Sequence, residues 1–292
     1  MTDGMLEAIK RPIGVFDSGV GGLSVLKALR AELPFEDFVY VADSGYAPYG
    51  ERDESFVIER SRTIARYLQG HDGLSIKALV IACNTATAAA VHLLRQDYAA
   101  LPIIGVEPAL KPAVALSRTK RIGVMATRST LSSQKFKVLK DALAGQAEFI
   151  CQPCDGLANA IERGDTTKII ALCALYTGAT GQFGLKNGEI DTLVLGCTHY
   201  PFASQHLRAL VGPDVRLVDN GEPVARQTRR VVKPLVQAGP LGQLVLLSTG
   251  DPAALATAAQ RWLSVQASAQ AMVIQPRPIQ VQVQVQVQGL QL

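Results

Sequence analysis

Apolar residues in this chain fall into short continuous runs, each followed by a polar or glycine-rich break. Ile13-Gly-Val-Phe16, Phe38-Val-Tyr-Val-Ala42, Ala78-Leu-Val-Ile-Ala82, Pro102-Ile-Ile-Gly-Val106, Ile122-Gly-Val124, Leu193-Val-Leu195 and Leu217-Val218 all have this form. Such runs read as strands buried on both faces, as in parallel sheets. Between them apolar positions recur at helical spacing, first at Leu23, Leu26 and Leu29. A second amphipathic stretch covers 54–68, with Phe56, Ile64 and Leu68 expected to face inward. An alanine-rich helix is predicted from 84 to about 98, and others at about 132–144, 157–163, 167–179 and 222–236. A late strand at 244–248 and a helix at 252–263, carrying the sole tryptophan, Trp262, close the pattern. Strand and helix alternating in this way predict an α/β protein with mostly parallel sheets.

The pattern also restarts halfway. Ile122-Gly-Val124 echoes Ile13-Gly-Val15, Cys197 echoes Cys83, and Glu222-Pro223 echoes Glu107-Pro108. Cys83 follows Ile13 by 70 residues and Cys197 follows Ile122 by 75; Glu107 follows Cys83 by 24 and Glu222 follows Cys197 by 25. Three echoes in one order predict two pseudo-symmetric α/β domains facing a central cleft. The expected division is 12–107 with 220–265 as the first domain and 108–219 as the second. Residues 266–292 form an extension.

Candidate chemistry sits where the strands end. In Thr192-Leu-Val-Leu-Gly-Cys-Thr-His-Tyr-Pro201, Gly196 permits a tight exit and Cys197, Thr198 and His199 land together. The carboxyl edge of an open α/β sheet is where ligands bind. Ala78-Leu-Val-Ile-Ala-Cys-Asn-Thr85 repeats the run, the small residue, the cysteine and a nearby hydroxyl. A single cysteine at a strand end is most often a small buried hydrophobe, which is the reading for Cys173. The duplicated placement of Cys83 and Cys197 points instead to paired acid/base thiols.

Asp17-Ser-Gly-Val-Gly-Gly22 is a glycine-rich strand-to-helix turn whose backbone N–H groups suit an anion. A tight turn with Asp17 and Ser18 at the helix entry accounts for it equally well. It lacks the glycine spacing and the following acid of a dinucleotide site. Pro48-Tyr-Gly50, after Asp43-Ser44, offers backbone donors and one phenol on the same edge. Cys151-Gln-Pro-Cys154 has the spacing of a redox or zinc pair, but no second pair exists. His71, His92 and His206 show no ligand spacing, so the pair reads as structural.

Composition narrows the class without choosing a function. The 292 residues exceed the usual size of one core, and 48% hydrophobic with 18% charged residues excludes wholesale disorder. A scattered net charge of +4 gives no footprint for nucleic acid. The first eleven residues lack a signal-peptide core, and no apolar run approaches a membrane span, so a cytoplasmic protein is expected. Five cysteines, an odd number, speak against a disulfide framework. Residues 281–288 alternate Val and Gln four times, which predicts a mobile or self-associating appendage.

Taken together, Asp17-Ser-Gly-Val-Gly-Gly22, Pro48-Tyr-Gly50, Cys83-Asn-Thr85, Gly196-Cys-Thr-His-Tyr-Pro201 and Asp219-Asn220 resemble bacterial glutamate racemase, in matching order. The resemblance covers roughly residues 12–263. It implies the two-domain Asp/Glu racemase fold and a cofactor-independent interconversion of L- and D-glutamate that supplies peptidoglycan synthesis. It implies that Cys83 and Cys197 are the catalytic thiols, Cys197 taking the proton of the L isomer. It further implies that Asp17 supports the first thiol, while His199 and a glutamate, for which Glu162 is the candidate, support the second. By the same resemblance Asp17, Ser18, Tyr49, Gly50, Asn84, Thr85, Thr198 and His199 hold glutamate's charged groups. This sequence departs from the family in following Cys154 with Asp155 instead of proline. The stretch Gly105-Val-Glu-Pro-Ala-Leu-Lys-Pro112 resembles a branch activated by a peptidoglycan precursor, and a homodimer is compatible with the family. Competing readings are an aspartate racemase or another superfamily member, and a two-domain ligand- or zinc-binding protein without turnover.

Overall fold

A computed structural model describes residues 11–71, 74–232 and 240–272. In chain order the first elements are β1 (Ile13–Asp17), α1 (Leu23–Glu32), β2 (Phe38–Ala42), α2 (Glu54–Arg66), β3 (Ala78–Ile81), α3 (Asn84–Asp97) and β4 (Ile103–Gly105). Then come α4 (Leu110–Leu116), β5 (Arg121–Ala126), α5 (Arg128–Ser132), α6 (Gln134–Asp141), β6 (Glu148–Pro153), α7 (Leu157–Glu162), α8 (Thr166–Thr180) and β7 (Thr192–Gly196). The chain continues through α9 (Ser204–Val211), β8 (Arg216–Val218), α10 (Gly221–Val232), β9 (Leu244–Ser248), α11 (Pro252–Leu263) and β10 (Ala269–Ala271).

The strands form two sheets, ordered β10-β9-β2-β1-β3-β4 and β6-β5-β7-β8, and every pairing is parallel. Every residue of β1, β2, β3 and β7 is buried, as continuous apolar runs require when helices cover both faces of a sheet. Core side chains of α1, α10 and α11 pack on one face of the larger sheet, and those of α2 and α3 on the other. The smaller sheet is likewise covered on both faces. The order β2-β1-β3-β4 recurs as β6-β5-β7-β8, so the restart in the sequence is a restart in topology. After β8 the chain returns to the larger sheet, where β9 pairs with β2. Trp262 on α11 stacks on Phe202 at 4.3 Å. No helix among the described residues is long and apolar enough to cross a membrane.

Several sequence expectations need correction. The strand β6 escaped the pattern because it is a half-buried edge strand without a fully buried residue. Three-residue β10 has too little sequence to signal and takes its form from pairing with β9. The helix expected at about 132–144 is α6 at 134–141, and the short α5 ahead of it was not foreseen. The two are separated because Ser133 adopts extended backbone and caps α6 by accepting from Phe136 N–H. In α2 the inward positions are Val57 and Ile64, with Leu68 just beyond its end, while Phe56 is half-buried beside Tyr46 and Tyr49. The Val-Gln tail at 281–288 and the end of the helix predicted to 236 lie outside the described residues.

Candidate active site

Gly196 ends β7 and Cys83 follows β3, so both thiols emerge at carboxyl edges of central strands and line one cleft. Counting its open mouth, the cleft holds about 490 Å3. Cys83 caps α3, its Sγ accepting from Ala86 N–H at 3.4 Å. It also lies 3.9 Å from Ser18 Oγ, which donates to Asp17 Oδ1 at 3.1 Å. Cys197 Sγ lies 3.8 Å from His199 Nδ1, and His199 Nε2 meets Glu162 Oε2 at 2.7 Å. Each thiol is thus backed by a polar side chain and, behind that, a carboxylate.

The electrostatics of the two sides differ. Burial, followed by the charge of Asp17, holds the pKa of Cys83 well above that of an ordinary thiol. Burial alone would lower His199, but hydrogen bonds and attraction from Cys197 and Glu162 prevail and hold the imidazole well above its usual range. Burial likewise opposes the charge of Glu162, yet the bonds from His199, Val20 N–H and Ser44 keep it below the ordinary carboxylate range. At neutral pH the Cys83 side therefore rests as a thiol and the Cys197 side holds an imidazolium–carboxylate pair.

The glycine-rich turn after β1 binds anions that belong to the protein itself. Val20 N–H donates to both Glu162 oxygens, at 3.1 and 2.9 Å, and Gly19 N–H donates to Asp17 at 2.8 Å. Its glycines are there for closeness. A Cβ on Gly21 would lie 2.3 Å from His199 Nδ1, and one on Gly19 would lie 2.3 Å from Glu162 Oε2.

Of the residues singled out in the sequence, Ser18, Tyr49, Gly50, Asn84, Thr85, Thr198 and His199 line the cleft together with the two thiols. Asp17 is wholly buried behind this wall and reaches it through Ser18 and through Thr198, whose Oγ1 donates to Asp17 Oδ2 at 2.8 Å. Glu162 also stands behind the wall, against His199. The phenol expected from Pro48-Tyr-Gly50 is not free, since Tyr49 donates it to Asp43, which Arg60 grips through two nitrogens.

Some site residues escaped the sequence reading. Ser44 Oγ donates to Glu162 at 3.0 Å, and Thr127 meets Thr85 through their hydroxyls at 3.2 Å. Thr127 was legible in principle, because aligning Ile122 on Ile13 places it opposite Ser18. Cys154, read from the sequence as one of a structural pair, lines the cleft, while Cys151 is half-buried and Cys173 wholly buried. Arg128 and Asp155 form an exposed ion pair at the rim. Among the described residues no cluster of His, Cys, Asp or Glu is placed to hold a metal ion.

Asp17 carries a measurable cost. Burial pushes its pKa up to about 6 despite the opposing influence of His199, Thr198 and Gly19 N–H. The folded protein binds this proton more tightly than the unfolded chain, so the associated stability is full below about pH 4 and is lost as pH rises through about 6. Asp17→Asn removes that dependence. Its stability relative to the unaltered protein should rise by about 2 kcal/mol between pH 4 and pH 7. Urea denaturation at the two pH values measures the change, and a constant difference would show that Asp17 titrates normally.

Known proteins bear on this geometry directly. Residues 13–228 match the model of the Asp/Glu/Hydantoin racemase family. Glutamate racemase of Ralstonia nicotianae is 47% identical over 251 residues, covering 85% of this chain and 87% of its own. Among solved structures, a glutamate racemase of Bacillus anthracis superposes with a TM-score of 0.78 at 29% identity, covering 90% of this chain and 98% of the other. Escherichia coli glutamate racemase, in complex with L-glutamate and the activator UDP-MurNAc-ala, gives 0.75 at 28% identity, covering 91% and 100%. A duplicated sheet with a thiol at each matching strand end, a family match over most of the chain and close relatives of near-equal length agree: this chain belongs to the Asp/Glu/Hydantoin racemase family.

Proposed function

We propose that this protein interconverts L- and D-glutamate without a cofactor, supplying D-glutamate for peptidoglycan synthesis. The observation that carries this reading is the pair of thiols in one cleft, each with its own supporting carboxylate. Racemisation removes the Cα proton on one face and returns a proton on the other, which requires one thiolate and one thiol at a time. In the L-to-D direction Cys197 acts as the base, beside the imidazolium that His199 and Glu162 maintain. Cys83, held protonated by its buried surroundings, delivers its proton to the opposite face. The roles exchange in the reverse direction. Donors on Asn84 and Thr85 and the backbone of Tyr49 and Gly50 hold glutamate's carboxylates and stabilise charge developing at Cα. The hydroxyl oxygens of Ser18 and Thr198, whose protons go to Asp17, are left to accept from its ammonium group. In this reading 12–107 and 220–265, joined by β10 at the edge of the larger sheet, carry the Cys83 half, and 108–219 carries the Cys197 half.

The Escherichia coli relative was solved with a peptidoglycan-precursor activator. An activator of that class, with a homodimeric assembly, belongs to the same proposal, supported by the likeness of residues 105–112 to the activated branch.

Circular dichroism of L-glutamate incubated with the protein and no added cofactor is the direct test. The signal should decay to zero as the racemate forms, unchanged by chelator, and L-aspartate in parallel should persist. A stable glutamate signal overturns the proposal, and faster loss of the aspartate signal reassigns the substrate.

A further inference from the structure

Asn220 stands where the chain crosses from β8 in the smaller sheet to α10 on the larger one, and it is 4% exposed. Its Nδ2 donates to two acceptors from opposite sides of the cleft. One is Asn84 Oδ1 at 3.3 Å, on the residue after Cys83; the other is the carbonyl of Leu195 at 3.5 Å, two residues before Cys197. Asn84 is equally buried, and its own Nδ2 has no partner in the protein, as does Asn220 Oδ1. A buried amide hydrogen left unpaired is costly unless something else satisfies it.

An amide can be turned end for end, but a backbone carbonyl can only accept. Leu195 O therefore requires Asn220 to present its NH2 group. That group then claims Asn84 Oδ1, and Asn84, which lines the cleft, is left with its buried NH2 unpaired. We propose that Asn220 is a positioning residue, which sets Asn84 as a donor and so prepares it for a carboxylate of the bound amino acid. The strand that bears one thiol thereby decides which way a binding amide beside the other thiol points. This inference rests on the reading of the cleft as a glutamate site.

A three-variant comparison tests it: Asn84→Ala, Asn220→Ala and the double variant, with KM and kcat for both isomers and thermal unfolding. Asn220→Ala should raise KM by about 10- to 100-fold, the size of one lost hydrogen bond to a carboxylate, with kcat changed less than about threefold. The double variant should match Asn84→Ala, because Asn220 acts only through that amide. Asn220→Asp, which can only accept from Asn84 and turns its carbonyl to the cleft, should raise KM further than Asn220→Ala. Multiplying KM effects in the double variant, or a fall in kcat with KM unchanged, would overturn the assignment in favour of a merely structural role. Should Asn220→Ala not fold, Asn220→Ser carries the same comparison. If the unaltered protein binds glutamate by calorimetry without turning it over, the proposed function fails and binding constants decide the role of Asn220. Absence of binding overturns both.

Discussion

Serine in place of Cys83 or Cys197 lowers glutamate racemisation by about 10³-fold or more while the fold and its melting temperature stay near those of the unaltered protein. Oxygen and sulfur differ little in the volume they fill, and both positions are buried at strand ends where the surrounding backbone is set by parallel pairing. What changes is acidity. A thiol ionises near pH 8.5 and can be tuned into the working range, whereas a serine hydroxyl ionises far above it. Isotope transfer separates two thiols from one base serving both faces. In deuterated water, D-glutamate formed from L-glutamate should carry deuterium at Cα from the first turnovers, because Cys83 has already exchanged with solvent. The remaining L-glutamate should stay mostly protiated. Early D-glutamate that keeps a large share of the substrate's hydrogen would show one group returning the proton it took.

Gly21→Ala removes nearly as much activity without touching a reacting atom. The added methyl would lie 2.3 Å from Nδ1, 2.5 Å from Cε1 and 2.7 Å from Cγ of His199, so it meets the ring itself and not a flexible tip. The ring cannot yield freely, since Glu162 holds Nε2 and Cys197 lies against Nδ1. Either His199 leaves Cys197 or the turn after β1 draws back from Glu162. A misplacement of about 1 Å at such a point costs on the order of 10²-fold in kcat, and crowding of this kind costs about 1–3 kcal/mol of stability. A double-variant comparison identifies the cause. In a His199→Ala background the same glycine substitution should cost almost no further stability, because the space is then open. An equal loss with and without the ring would place the damage in the turn alone.

How far the sequence speaks for this protein depends on whether a feature is carried by neighbours along the chain or by partners far from it. Strands buried on both faces need runs of apolar residues, so β1, β2, β3, β5 and β7 were legible, and a duplicated topology leaves duplicated spacing. The placing of Cys83 and Cys197 at matching strand ends followed from that local logic alone. Edge strands lack the run, and so β6 stayed hidden, and with it the place of Cys154 in the cleft. The resemblance named Asp17, His199 and Glu162 as supports of the thiols, but the hydrogen bonds that join them belong to the tertiary structure. Glu162 reaches Val20 N–H across 142 residues and Ser44 across 118, and Thr198 reaches Asp17 across 181. Residue type tells that a carboxylate wants a donor, but only packing tells which donor arrives. The same holds for the turn at 17–22. Its glycines announce a backbone approached closely, and only the folded chain shows that the approaching groups are the imidazole and carboxylate beside Cys197.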